Sequence, residues 1–158
     1  NADVAPLYEE RFHFIAVPAI SPGPSGRPIP FAEIGAAPLV APDRDHDLRR
    51  RIEDVAMGLG LPLAVRYEAN SIGVHNALVR AGLAAAIVPP TGFQEEIAAG
   101  TLTSRPVIAP EIIRVQALAW PAGRTPTQAA RAVADTLHAV MSEMAEAGAL
   151  PGRLLGVP

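Results

Sequence analysis

Residues 70 to 90 constrain the fold more than any other stretch, because a helix start, a helix stop and a buried strand follow one another there in fixed order. Asn70 or Ser71 supplies a side-chain oxygen for one of the first-turn amides that an α-helix leaves without an internal partner. Ile72, Val74, Leu78, Val79 and Ala81 then make a broad apolar face, and Gly82 provides the left-handed residue that closes a helix. Leu83 to Val88 run apolar without a break until Pro89 and Pro90. A strand with no polar side is covered on both faces, which predicts a parallel sheet between helix layers.

The same rules applied to the rest of the chain give alternating strands and helices. Phe12 to Val17 read as a first strand, followed by a loop from Pro18 to Pro28 and a single helical turn at Pro30 to Gly35. Ala37 to Ala41 read as a second strand ended by Pro42, and residues 46 to 59 as a helix with Leu48, Ile52, Val55, Ala56 and Leu59 on one face. Arg49, Arg50, Arg51, Glu53 and Asp54 fall mostly on its other, solvated face. Leu63, Val65 and Tyr67 alternate with polar neighbours at strand period. Thr91 and Gln94 have capping-box spacing for a short helix stopped by Gly100, and residues 112 to 120 alternate again. Thr125 as cap, Pro126 and Gln128 open a last helix to about Ala147, with Ala129, Val133, Leu137, Val140, Met141 and Met144 on its apolar face. Leu150 to Pro158 is expected to be a disordered tail.

Composition removes several functions. The 13 basic residues are all Arg and the net charge is −3, with no basic stripe, so the chain is not expected to bind nucleic acid by itself. There is no Cys, hence neither disulfide framework nor thiolate chemistry. No apolar run approaches the roughly 18 to 20 residues that span a bilayer. Asn1 to Val4 carry neither an initiator Met nor a signal-peptide pattern, so the chain reads as an internal fragment, cytoplasmic by default.

With these elements in order, the sequence resembles the effector-binding region of LysR-type transcriptional regulators. The matching residues run from Pro6-Leu7-Tyr8-Glu9-Glu10 through Ile34 to Val40, Glu68, and Leu78-Val79-Arg80-Ala81-Gly82-Leu83. They continue at Ile87-Val88-Pro89, Gly100-Thr101-Leu102, Pro106-Val107, Arg114 and Ala129 to Val133. His46 to Ile52 is similar to a lobe II helix of members related to nitrogen-assimilation control. The resemblance implies an α/β, periplasmic-binding-protein-like (type 2) fold of two lobes joined by crossing strands near 35 to 38 and 112 to 117. On that reading residues 36–112 form lobe II, residues 1–35 and 113–147 the remainder of an incomplete lobe I, and residues 148–158 a C-terminal tail. It also implies a homodimer or homotetramer that contacts DNA through an N-terminal winged helix-turn-helix outside this sequence. Val74, Leu78 and Ala81 then fall on a helix face that serves the partner protomer.

Ligands of open α/β sheets settle at the carboxyl ends of strands, where helix N-termini offer free amides and a partial positive charge. Two such places are Pro42, Asp43, Arg44, Asp45 and His46 after the second strand, and Asn70, Ser71 and Ile72 after the third. These are the expected effector contacts, and Arg44 with the amides at 70 to 72 suits a carboxylate or other oxyanion. The bland alternative makes Asp45 and Asn70 helix caps and leaves Arg44 solvated. Asp43, Asp45, His46 and Asp47 have metal-ligand chemistry, but acids in a first helical turn follow from the helix dipole alone, so no metal is assigned. Ser71 and His75 lie four apart on one helix face; with no Gly-x-Ser-x-Gly elbow or orienting acid they read as surface polarity. His13 and His138 read as buried structural residues, and Gly23 to Gly26, lacking a Lys, as a turn.

The expectation is therefore an effector-sensing domain, not an enzyme, with no cofactor and no membrane partner. A solute receptor of a transport system, which shares the fold, is the alternative.

Overall fold

Two strands open the chain, β1 (Ala2–Arg11) and β2 (His13–Ala16), followed by β3 (Ile29–Pro30), α1 (Phe31–Ile34), β4 (Leu39–Ala41) and α2 (Asp47–Gly58). Then come β5 (Val65–Glu68), α3 (Ile72–Arg80), β6 (Ala86–Val88), a 3-10 turn at Pro90–Phe93, α4 (Gln94–Ala98), β7 (Thr103–Ile108), β8 (Ile113–Pro121), α5 (Gln128–Glu146) and β9 (Arg153–Leu154). The computed structural model describes residues 2–21 and 23–155. These elements divide into two compact units, Arg11–Ile112 and the paired segments Asn1–Glu10 and Ile113–Pro158.

In the unit Arg11–Ile112 the strands lie in the order β3-β7-β2-β6, and a parallel bridge between Leu39 and Ala85 carries the ladder on to the β4-β5 pair. Parallel pairing holds for β4 with β5 and for β3 with β7, whereas β2 runs antiparallel to both β6 and β7. The sheet is thus mixed, with one reversed strand near its centre. Successive residues feed opposite faces. Phe14, Leu39, Ala85 and Ile87 join Phe31, Ile52 and Ala56 in one cluster, while Ile15, Val40, Ala84 and Ala86 join Val79, Phe93 and Leu102 in the other. Both faces are covered by helices, as the apolar run at 83 to 88 predicted, but the sheet is not the parallel one expected, because β2 enters between β6 and β7 in the opposite direction.

Sequence order misplaced several pieces. The first strand and the loop after it, residues 11–35, fold with 36–112, not with 113–147 as expected. The reason is burial: Phe14, Ile15 and Ala16 are fully enclosed between β6 and β7, a non-local pairing that chain order does not reveal. The strand β7 is absent from the sequence reading because Arg105 and Pro106 break its apolar pattern, although Pro106 sits opposite His13 in the ladder. Thr91 does not cap α4: Pro90–Phe93 form a 3-10 turn and Phe93 precedes the helix without a side-chain cap.

In the other unit the strands order as β8-β1-β9. The expected disordered tail is in part a strand: Glu9 and Tyr8 pair with Arg153 and Leu154, and the Tyr8 hydroxyl accepts from the Gly152 amide at 2.7 Å. Residues 156–158 of that tail lie outside the described residues. The cap of α5 is Thr127, whose hydroxyl accepts from Ala130 N at 3.1 Å, and not Thr125, so the helix begins two residues later than expected. Its apolar stripe stays exposed, with Val133 at 68% and Val140 at 46%. Glu10 is buried and accepts from Gln116 at 2.9 Å and from both Nε and Nη2 of Arg114. Among the described residues no helix is long and apolar enough to cross a membrane.

Candidate functional site

The carboxyl ends of β4 and β5 lie side by side because the two strands pair in parallel, Ala41 opposite Glu68. Pro42, which has no N–H to donate, ends β4, and the ladder's last backbone bond runs from Ala69 N to Ala41 O at 3.1 Å. Beyond it a side chain takes over. Asn70 Oδ1 accepts from Asp43 N at 3.0 Å, and Asn70 Nδ2 donates to Asp43 Oδ2 at 2.5 Å. This reciprocal pair extends the β4-β5 contact past the last strand residues and holds the two loops together. Asn70 is therefore a strut between loops, and Ser71 is the cap, its hydroxyl accepting from Val74 N at 3.5 Å.

The loop after β4 is similarly organised. Asp43 Oδ1 accepts from Asp45 N at 3.2 Å, and His46 Nδ1 accepts from Leu48 N at 3.1 Å, so His46 and not Asp45 caps α2. The Asn70 side chain, and after it the amides of Asp45 and His46, hold the Asp43 carboxyl below the usual carboxylate range. Arg44 is more exposed than its neighbours Arg49, Arg50 and Arg51. Its side chain is 79% exposed and stands 3.8 Å from Glu53 Oε1, an oxygen that Arg49 already takes at 2.8 Å. Ile72, at 78% exposed, presents a large apolar side chain at the start of α3.

Two residues here were misread from sequence. Arg49, assigned to the solvated face of α2, is buried at 4% and donates to the Pro42 carbonyl at 3.1 Å and to Glu53, with Glu68 at 3.5 Å. It ties the loop, the helix and the end of β5 together. The i,i+4 spacing to Glu53 was readable; the burial was not. His75, read as surface polarity beside Ser71, is 9% exposed, and Ser71 is turned to Val74 instead. Burial lowers the imidazole pKa, the backbone carbonyls of Ala41 and Ala69 oppose that effect, and nearby His46 adds to it. Among the described residues His75 Nε2 has no hydrogen-bond partner.

The remaining candidates serve the scaffold. Asp47 is taken by Arg51 at 2.6 Å and by Arg50 at 3.7 Å. Among the described residues no three His, Asp or Glu side chains are placed to share a metal ion. His13 is half-buried, with Nδ1 2.8 Å from the Ser104 hydroxyl, and His138 is half-buried on α5.

An α/β sheet with helices on both faces and a polar mouth at the carboxyl ends of its strands is an architecture of the periplasmic-binding-protein type. Sequence comparison makes the class particular: residues 1–142 match the LysR substrate binding domain, and the chain belongs to that family. That family match supports an effector-binding regulatory domain over a transport receptor. No curated protein matches the sequence. Among solved structures, the CcmR regulatory domain of Synechocystis PCC6803 in complex with 2-PG is similar with a TM-score of 0.75 at 18% identity, over 89% of this chain and 67% of that one. The reduced OxyR regulatory domain of Pseudomonas aeruginosa gives 0.67 at 22% identity, over 87% and 66%. The effector binding domain of QuiR in complex with shikimate gives 0.67 at 14%, over 85% and 62%. The chain thus spans about two thirds of the length of these structures, and the likeness is one of fold.

Proposed function

We propose that residues 42–46 and 69–72 form the effector contact of a LysR-type regulator, and that Arg11–Ile112 corresponds to its lobe II. The observation that carries this reading is the reciprocal Asp43–Asn70 pair, which holds two strand-ending loops and the N-terminus of α3 around one mouth. Asp43 has its charge engaged by Asn70 and by the Asp45 amide, leaving Arg44 and the free first-turn amides of α3 as the attractive groups. A small oxyanion, in particular a carboxylate whose hydroxyl groups reach Asp43 or Asn70, fits that arrangement. Neighbours of the same fold are known with 2-PG and with shikimate, which supports a small-molecule effector.

In the full-length protein the domain acts in the cytoplasm without catalysing a reaction. Effector binding favours one arrangement of a homodimer or homotetramer and so alters how its winged helix-turn-helix domains meet DNA; this coupling requires different affinities for the two arrangements. A thermal-shift screen of small hydroxy acids and carboxylates against neutral isosteres tests the reading. Acids should stabilise the chain, and Arg44→Ala should weaken the best of them about fivefold, on the order of 1 kcal/mol. Stabilisation by neutral compounds alone would sink it.

A further inference from the structure

The opposite, amino ends of β4 and β5 enclose a different space. A cavity of about 240 Å³ lies between α1 and the segment 61–64. Its floor is Phe31 and Ile34, 2% and 4% exposed, and its walls are Leu61 and Leu63, both packed on the hydrophobic core. The exposed rim carries only small side chains, Ala32, Ala36 and Pro62 among them. Several backbone groups around it are already engaged: Ile34 O accepts from Ala37 N at 3.2 Å, Ala64 O from Leu39 N at 2.9 Å, and Leu61 N donates to Ala56 O at 2.9 Å, so the lining is mainly apolar. Among the described residues no charged side chain lines the space.

A polar occupant would lose its water hydrogen bonds there and regain none from these groups, so the lining selects apolar molecules. Size narrows the choice. An apolar cavity of roughly 150 Å³ accepts benzene, and drug-sized ligands need about 300 Å³ or more. A folded partner is the wrong occupant, because stable interfaces engage roughly 20–30 residues a side. We propose that this cavity is a second ligand site, separate from the polar mouth, for a neutral apolar molecule of about one aromatic ring. Its occupancy would tie α1 to the segment 61–64 and so brace the β4-β5 pair from the end away from the mouth.

Titration of the ¹⁵N-labelled 158-residue chain with toluene, and with benzoate as its charged counterpart, tests this. Toluene should shift the amide resonances of 31–36 and 61–64 saturably, and benzoate should leave them in place. Ala36→Leu, which fills the rim, should weaken toluene at least about tenfold while the far-UV spectrum and the resonances of 42–46 stay as in the parent. Ala32→Asp sets a carboxylate on the rim and should weaken toluene without added bulk. The proposal falls if toluene shifts do not saturate, or if both variants bind it as the parent does. It also falls if the same resonances move with protein concentration and not with toluene, which would seat a second copy there. Failure of the acids at 42–46 would leave these outcomes unchanged.

Discussion

The β4-β5 pair is finished by side chains at one end and by backbone at the other. At the amino ends the chain arrives from helix C-termini that close on themselves: Gly60 takes φ 66°, and Leu61 N returns to Ala56 O. Once those groups are paired internally, the space left over is apolar. At the carboxyl ends the chain enters helix N-termini, whose first amides have no internal partner; His46 and Ser71 each take one of them, and Asn70 and Asp43 tie the two loops together. The same two parallel strands therefore make an oily recess at one end and a polar mouth at the other, and the direction of the chain decides which is which.

The largest way to break that contrast is Arg49→Met. It leaves the Pro42 carbonyl without its donor and Glu53 and Glu68 without their buried cation, and should cost about 2–3 kcal/mol in urea unfolding. A midpoint unchanged from the parent would mean that the mouth does not depend on its polar ties. Asn70→Ala removes both bonds to Asp43 and should cost about 1 kcal/mol. The sharper readout is NMR titration, in which the Asp43 carboxyl should rise toward its ordinary range. Ser71→Ala should cost about 0.5 kcal/mol, the low end for a lost cap, given its 3.5 Å bond.

The gentlest probe is pH. The His75 pKa is lowered in the folded state, so the unfolded chain binds more protons once pH falls below about 6.5, and stability declines with falling pH from there down through the folded value. His13 contributes in the same direction through its own burial. The urea midpoint should fall between pH 7.5 and pH 5.5, and His75→Gln should flatten that slope. An unaltered slope would assign the dependence to His13.

What the sequence disclosed was local. Helix α3 was legible because cap, apolar spacing and glycine stop lie within one short window, down to Gly82 at φ 67°, and α2 by its apolar spacing, although its cap fell on His46 and not on Asp45. The strand β2 was read at 12 to 17, but its reversed place in the sheet, the strand β7 with its internal Pro106 and the closing strand β9 were not, because each is defined by a partner tens of residues or more away. The mouth divides the same way. Ser71 and His46 at helix starts could be found from spacing, whereas the Asp43–Asn70 pair joins residues 27 apart and the burial of Arg49 and His75 is a property of packing.

The division of the chain also sets an order of assembly during synthesis. Arg11–Ile112 is one uninterrupted stretch, so every strand of its sheet has been translated once Ile112 leaves the ribosome. The other unit has to wait: β1 precedes that stretch, yet its neighbours β8 and β9 follow it, and Tyr8 meets Leu154 only after both have been translated. Domains folding as units in the order they emerge would finish Arg11–Ile112 first and leave β1 unpaired until β8 and β9 follow.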